Sequence, residues 1–193
     1  MGFDMNAFSL AGKKAIVTGG AKKTGLCYGM AVALHDAGAE IVILDANSQV
    51  ENTVAELGGA KSGYHAVVAN LLDLNDLSNG FQQAISALGG RLDILVNGAG
   101  LQYRCPSEEF PEDAWDRIMG VNIKGVFFMS QLAGKVMLKQ GKGKIINIAS
   151  TNSFIGLRNM PAYVSSKGGV KQLTMALSSS SAASDVYKRQ ALL

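Results

Sequence analysis

Short apolar segments alternate with longer amphipathic ones along most of this chain. Apolar runs with no polar alternation are typical of strands in a parallel sheet that is covered on both faces. Five such runs occur, at residues 14–19, 41–45, 64–69, 92–97 and 144–150. Apolar residues at helical spacing follow each run, which predicts helices over residues 25–37, 48–57, 72–88, 111–138 and 161–178. The alternation predicts an α/β fold, a doubly wound parallel sheet with helices on both faces.

The pattern predicts no strand after the fifth one and its following helix. Residues 180–190 read Ser-Ser-Ala-Ala-Ser-Asp-Val-Tyr-Lys-Arg-Gln and resemble a translated transposon-type sequencing adapter. We therefore expect a truncated Rossmann-type domain over residues 1–179 and a non-native tail over residues 180–193 that offers no strand. A parallel sheet that lacks its next strands leaves unpaired backbone groups along an apolar edge. On this ground the 193-residue product is expected to be insoluble or molten, and inactive.

Composition and charge narrow the class of protein. The chain is 48% hydrophobic and 17% charged, which excludes a disordered charged tail. No apolar run approaches the roughly 18 residues that a membrane span needs, and no signal peptide is visible. The formal net charge of +3 is scattered, so nucleic acid is not an expected partner. Cys27 and Cys105 make neither a disulfide framework nor a metal site, and we expect a cytoplasmic protein that acts on a small molecule.

A glycine-rich turn follows the first predicted strand and opens onto a helix. Gly19 and Gly25 flank this turn, where free N–H groups and the positive helix end can hold a pyrophosphate. A tight strand-to-helix turn without a ligand would show the same pattern. Asp45 closes the second strand, where a carboxylate can bind ribose hydroxyls and repel a 2′-phosphate. This favours NAD over NADP, although Lys22 and Lys23 in the turn would attract the phosphate.

A second group of polar residues follows the later strands. Tyr163 and Lys167 stand one helical turn apart on one face of the last predicted helix, where Lys167 would lower the pKa of Tyr163 and suit it to general acid work. A solvated helix face is the alternative reading. Ser150 stands at the carboxyl end of the fifth strand, where open α/β sheets place their sites. Asn122 interrupts a helical pattern and calls for a special reason.

In this order and spacing, these residues resemble the classical short-chain dehydrogenase/reductase family over residues 8–178. The resemblance implies that Tyr163 is the acid/base, Ser150 holds the substrate oxygen and Lys167 binds the nicotinamide ribose. It also implies that Asn122 positions the water of a proton relay. The residues it implies in cofactor binding are Gly19, Gly25, Leu26, Asp45, Asn70, Leu71, Asn97, Ala99, Gly100, Tyr163 and Lys167.

Within the family, the segments at residues 7–10, 28–31, 126–131 and 144–150 resemble the sugar-acid dehydrogenases that act on gluconate and deoxygluconates. This implies an NAD(P)-dependent oxidoreductase that interconverts a secondary alcohol and a ketone, with NAD as the expected cofactor and a homo-oligomeric full-length form (dimer or tetramer). Arg104 and Arg158 lie on loops at the same end of the sheet, and either could bind a substrate carboxylate. Two solvated surface arginines would be equally consistent with the pattern.

Three departures from the family pattern leave other functions open. Two extra residues separate Gly19 from Gly25, Cys27 stands where the family has its third glycine, and Gly98 replaces an Asn of the Asn-Asn-Ala-Gly motif. Each bears on cofactor affinity. A 3-oxoacyl thioester or general ketone reductase that uses NADPH is one alternative function. A non-catalytic dinucleotide-binding protein is the other.

Overall fold

The computed structural model describes residues 5–179 and 191–192. Over these residues the sheet has six parallel strands in the order β3-β2-β1-β4-β5-β6, which confirms the predicted doubly wound fold. The strands are β1 (Lys14–Thr18), β2 (Glu40–Asp45), β3 (Tyr64–Val68), β4 (Ile94–Asn97), β5 (Lys144–Asn147) and β6 (Ala191–Leu192). The helices are α1 (Leu26–Asp36), α2 (Gln49–Glu56), α3 (Leu74–Ala87), α4 (Glu112–Met119), α5 (Val126–Gln140) and α6 (Pro161–Ser179).

The sheet separates two apolar cores, because successive side chains of each strand point to opposite faces. On one face Ala15 and Val17 of β1 pack with α1 and α2, around Ala31 and Val54. On the other face Ile16 of β1 packs with α3 and α5, around a second group of buried residues: Leu77, Phe81, Met129 and Met137. Two covered faces account for the continuous apolar runs in the sequence. No helix among the described residues is long and apolar enough to cross a membrane.

The strand order reverses at β1, which pairs with β2 on one side and with β4 on the other. In such sheets the loops after these strands part and leave a crevice at their carboxyl ends. The loops that follow β1, β2, β3 and β4 all reach this crevice. The fold therefore gathers residues from distant parts of the sequence at one edge of the sheet.

The structure differs from the predicted elements in three places. β5 ends at Asn147, so Ser150 lies in the loop beyond it rather than on the strand. The long helix predicted over residues 111–138 is divided into α4 and α5 by a π-helical segment, Gly120–Gly125. β6 pairs with β5 through Ala191 and Leu192, although no strand was expected in the tail. That expectation considered the polar Ser and Ala residues of the tail and overlooked its apolar end, Ala-Leu-Leu. The remainder of the predicted tail lies outside the described residues.

Candidate active site

A cleft of about 610 Å³ lies at the carboxyl edge of the sheet, between the ends of β1, β2, β3 and β4. We refer to it as the carboxyl-edge cleft. Eight of the residues predicted to bind a cofactor line it: Gly19, Gly25, Leu26, Asp45, Asn70, Leu71, Ala99 and Gly100. These residues come from the four loops that follow β1, β2, β3 and β4, and the strand order brings those loops together at one edge of the sheet.

The floor of the cleft is backbone because side chains do not fit there. Gly19 has φ of +85°, a conformation that residues with a Cβ rarely adopt. A Cβ on Gly19 would also lie 2.7 Å from the Cα of Ala99 in the loop after β4. Gly25 precedes the first residue of α1, and a Cβ there would lie 3.0 Å from the Lys22 carbonyl oxygen. The first turn of α1 is thus open to the cleft, with its unpaired N–H groups at the helix end.

The longer glycine-rich turn is held on the side of α2. The Ala21 N–H donates to Asp45 Oδ2 at 2.9 Å, and Thr53 Oγ1 donates to the Ala21 carbonyl oxygen at 2.6 Å. Lys23 forms an ion pair with Glu56 of α2. Of the two lysines in the turn, Lys22 lines the cleft and Lys23 is engaged with α2.

Asp45 lines the cleft and also holds two loops through hydrogen bonds. Its Oδ2 accepts from Ala21 and its Oδ1 accepts from the backbone N–H of Asn47 at 2.9 Å. The carboxylate therefore joins the end of β2 to the glycine-rich turn. Sequence reasoning assigned Asp45 to the cofactor alone and missed this second role.

The side chain of Asn97 lies away from the cleft. It is buried, and its Nδ2 donates to Ser130 Oγ of α5 at 2.9 Å and to Asn147 Oδ1 of β5 at 2.8 Å. Asn147 in turn donates to Thr174 Oγ1 of α6 at 3.0 Å. Through these contacts Asn97 and Asn147 join two strands to the helices that cover them. The role in cofactor binding that the resemblance implies for Asn97 stays a prediction.

Tyr163 and Lys167 both lie on α6, near the end of β5. The Nζ atom of Lys167 is 5.9 Å from the centroid of the Tyr163 ring and donates to the Ile148 carbonyl oxygen at 2.6 Å. Burial lowers the pKa of the Lys167 ammonium below its usual value, and a charged Cys27 would act in the opposite direction. Ile148 lines the carboxyl-edge cleft, so the Lys167 amine stands at the boundary of that cleft.

Ser150 starts a short turn over Thr151–Ser153 and is tied to it. Its Oγ accepts from the Asn152 N–H at 3.1 Å and lies 3.1 Å from Asn152 Oδ1. Ser153 Oγ accepts from the Ser150 N–H and donates to the Lys167 carbonyl oxygen at 2.8 Å. The turn that carries Ser150 is therefore fixed to the helix that carries Tyr163 and Lys167.

Asn122 lies in the π-helical segment and is fully buried. Its Oδ1 accepts from the Leu101 N–H at 2.7 Å, and its Nδ2 donates to the Leu101 carbonyl oxygen at 2.9 Å and to Ser166 Oγ at 3.0 Å. Ser166 Oγ donates to the Tyr163 carbonyl oxygen at 2.8 Å. Asn122 therefore joins the loop after β4 to α6. An Asn inside a helical pattern indicated a special role, but the sequence did not identify the residues that it contacts.

The sequence that builds this site matches a known family. The family model described as short chain dehydrogenase matches residues 13–187. The chain is 43% identical over 171 residues to 2-dehydro-3-deoxy-D-gluconate 5-dehydrogenase of Escherichia coli, covering 88% of the chain and 66% of the relative.

The chain belongs to the short-chain dehydrogenase family. Gluconate 5-dehydrogenase of Gluconobacter oxydans is 36% identical to it, over 86% of the chain and 64% of the relative. A crystal structure of a gluconate 5-dehydrogenase of Burkholderia cenocepacia, in complex with NADP and tartrate, superimposes with a TM-score of 0.84 at 31% identity. It covers 97% of the chain, which in turn covers 70% of that structure. The chain spans about two thirds of the length of these relatives.

Two of the three arginines near the site line cavities. Arg158 lines a second cavity of about 560 Å³ between the loop after β4 and the start of α6, together with Glu108. Arg104 is exposed on the loop after β4. Arg117 of α4 lines the carboxyl-edge cleft and was missed in the sequence, because a lone arginine on an amphipathic helix carries no signal of its own.

Proposed function

We propose that this member of the short-chain dehydrogenase family is an NAD(P)-dependent oxidoreductase that interconverts a secondary alcohol and a ketone on a sugar acid. The observation that carries the proposal is the junction of two groups of residues. The carboxyl-edge cleft begins at the open first turn of α1 and ends at Ile148, whose carbonyl oxygen binds Lys167. A ligand that fills the cleft would reach from a phosphate-binding helix end to the Tyr163 and Lys167 pair.

The cleft suits a dinucleotide on three counts. Its floor is glycine backbone, which permits close approach to phosphates, and the helix end above it favours negative charge. Asp45 at the end of β2 offers a carboxylate to ribose hydroxyls. Asn70 at the end of β3 has its amide oriented by the Leu72 N–H, which donates to Asn70 Oδ1 at 3.0 Å. These features support roles for Gly19, Gly25, Leu26, Leu71, Ala99 and Gly100 as neighbours of the bound cofactor.

A nicotinamide cofactor, when bound, accepts or supplies the hydride. In that reaction Tyr163 would exchange a proton with the substrate oxygen, and Lys167 would hold the ribose and support Tyr163 electrostatically. Ser150 Oγ would exchange its hydrogen bond with Asn152 for one to the same substrate oxygen. Asn122 would keep the loop after β4 and α6 at a fixed separation, because its amide binds both; a role in ordering a relay water is also proposed for it.

We propose NAD as the preferred cofactor. The Asp45 carboxylate would repel a 2′-phosphate, and Lys23 is engaged with Glu56 rather than available to attract one. Lys22 and Arg117 in the cleft lining act in the opposite direction. The relative from Burkholderia cenocepacia was crystallised with NADP. A measured preference of this protein for NAD over NADP would therefore test whether Asp45 determines the cofactor.

A sugar acid is proposed as substrate because the named relatives act on gluconate or a deoxygluconate. The substrate carries a carboxylate, for which Arg158 or Arg104 would supply the cation. Arg158 has the stronger case since it lines a cavity beside the start of α6. We also propose a small-molecule substrate and a homo-oligomeric assembly for the whole protein.

The test is an activity profile of the whole protein. NAD and NADP reduction is measured with D-gluconate and 2-dehydro-3-deoxy-D-gluconate, and with an uncharged polyol of the same length as a matched control. We expect turnover of a sugar acid with NAD and much weaker turnover of the polyol. Turnover confined to 3-oxoacyl thioesters or simple ketones with NADPH would replace the proposed substrate class. Dinucleotide binding without turnover of any of these compounds would indicate a binding protein.

A further inference from the structure

Cys27 and Gly98 share a space that can hold only one side chain. Cys27 is the second residue of α1 and is 6% exposed. A Cβ on Gly98, in the loop after β4, would lie 2.2 Å from Cys27 Sγ, 3.1 Å from the Thr18 carbonyl oxygen and 3.5 Å from Cys27 Cβ. The thiol therefore occupies the position into which any side chain at residue 98 would begin to extend.

The contact lies directly at the floor of the carboxyl-edge cleft, which both residues line. The N–H groups of Gly98 and Ala99 donate to Thr18 Oγ1 at 3.0 and 3.1 Å, so the loop after β4 is fastened to the end of β1. Ala99 is also the residue that Gly19 approaches so closely. A displacement of Gly98 would thus move the surface on which the glycine-rich turn rests.

We propose that Cys27 and Gly98 form one reciprocal packing unit that positions the first turn of α1 against the loop after β4. In this unit the thiol fills the space that the missing side chain of residue 98 leaves. The two departures from the family pattern, a larger residue at position 27 and a smaller one at position 98, then compensate for each other. The inference rests on the proposed function only in taking a dinucleotide as the ligand of the cleft.

The charge state of the thiol fits a packing role. Burial raises the pKa of Cys27 above its usual value, while Lys167 lowers it and Asp45 raises it further by smaller amounts. The side chain is therefore a neutral thiol at neutral pH. A neutral group beside the first turn of α1 places no negative charge where a pyrophosphate would bind, so Cys27 can fill the space without repelling the ligand.

A double-mutant cycle tests the unit. The variants are Cys27→Gly, Gly98→Asn and the two together. The melting temperature without ligand and the Kd for NADH are measured for each, the latter well below every melting temperature. We expect Gly98→Asn alone to lower the melting temperature and to weaken NADH binding roughly tenfold. A loss of this size lies within the range of interaction energies found for residues in contact. The double variant should recover most of both losses, because removing the thiol makes room for the new side chain.

The controls separate the packing unit from the function of the cleft. Cys105→Ser, at the second cysteine, should leave both quantities unchanged. If Gly98→Asn does not fold, Gly98→Ala introduces the same Cβ and takes its place in the cycle. Losses that simply add in the double variant would overturn the proposal, even where the parent protein binds NADH. A parent protein that binds no dinucleotide would refute the proposed function, and the coupling in melting temperature would still decide whether the packing unit exists.

Discussion

At the amino edge of the sheet, Glu40 binds other charged side chains, whereas at the carboxyl edge Asp45 and Lys167 bind the backbone of loops. Glu40 at the start of β2 pairs with Lys14 of β1 and with His65 of β3, the latter at 2.8 Å. At the carboxyl edge Asp45 accepts from two backbone N–H groups, and Lys167 donates to the Ile148 carbonyl oxygen. The same strands thus carry a closed cluster at one end and a set of loop anchors at the other.

The two kinds of bonding have different consequences. The groups that bind Glu40 are charged side chains of the neighbouring strands, so this cluster stabilises the strands themselves. A side chain that anchors a loop fixes the shape of that loop, and the shape of four loops is what forms the carboxyl-edge cleft. We therefore expect substitutions at the carboxyl edge to change binding and turnover, and substitutions at the amino edge to change only stability.

The largest effect is expected at Tyr163. In the whole protein Tyr163→Phe removes the phenol proton and should lower kcat at least ~10²-fold, as is typical when an acid/base group is lost. Steady-state kinetics with saturating cofactor measure this. Tyr28→Phe on α1 is the matched control and should retain turnover. Near-normal turnover of Tyr163→Phe would remove this residue from the reaction.

Gly19→Ala tests the backbone floor of the cleft. The substitution combines an unfavourable positive φ with a Cβ placed 2.7 Å from the backbone of Ala99, so the loop after β4 must move. We expect NADH binding to weaken about tenfold or more, which corresponds to at least about 1.4 kcal/mol. Fluorescence titration and thermal melts provide the measurements.

Gly12→Ala is the control for Gly19→Ala. Gly12 also has a positive φ, +70°, but a Cβ there meets no atom within 4 Å. We expect Gly12→Ala to lower the free energy of unfolding by about 1–2 kcal/mol, because of backbone strain alone. NADH affinity should be unchanged. Equal effects of the two variants on NADH binding would mean that strain, and not the approach to Ala99, is what matters at Gly19.

Asp45 should show a smaller, selective effect. Asp45→Asn removes the charge but keeps an oxygen that can accept one of the two backbone N–H groups. We expect the preference for NAD over NADP to narrow about tenfold, or about 1.4 kcal/mol, with kcat at saturating cofactor largely intact. Asp45→Ala should narrow the preference similarly and also lower the melting temperature, because Ala21 and Asn47 lose their acceptor. A parent protein that prefers NADP would contradict the role assigned to Asp45.

The sequence was sufficient to predict the sheet and the edge at which the site lies. Parallel strands place their carboxyl ends together, so the positions of Gly19, Asp45 and Asn70 after three strands are enough to predict that they share one cleft. The residues at which the strands end were harder to predict. The apolar pattern extends through Ile148 and Ala149, whereas β5 ends at Asn147.

The contacts between distant residues could not be predicted from patterns. Asn97 and Asn147 are in register on neighbouring strands and therefore bond to each other inside the sheet, which only the strand pairing reveals. Cys27 and Gly98 each looked like an isolated loss of a family residue. Their complementarity depends on how closely α1 approaches the loop after β4, and hydrophobic periodicity contains no information on that distance.

The smallest effect is expected at the amino edge, from Glu40. Its pKa is held below the usual value chiefly by the hydrogen bond from Lys14 and, against the opposing effect of burial, also by His65. A carboxylate with a lowered pKa in the folded state adds stability above its unfolded pKa near 4.5 and loses it as the pH falls through the folded value. Glu40→Gln should therefore lower the melting temperature slightly at neutral pH, by about 3 °C at most for a partly buried pair. The difference from the parent should shrink as the pH falls below 4.5 and vanish below the still lower pKa of the folded state, as thermal melts across that range would measure. NADH affinity should be unchanged, and a loss of affinity in Glu40→Gln would break the division between the two edges.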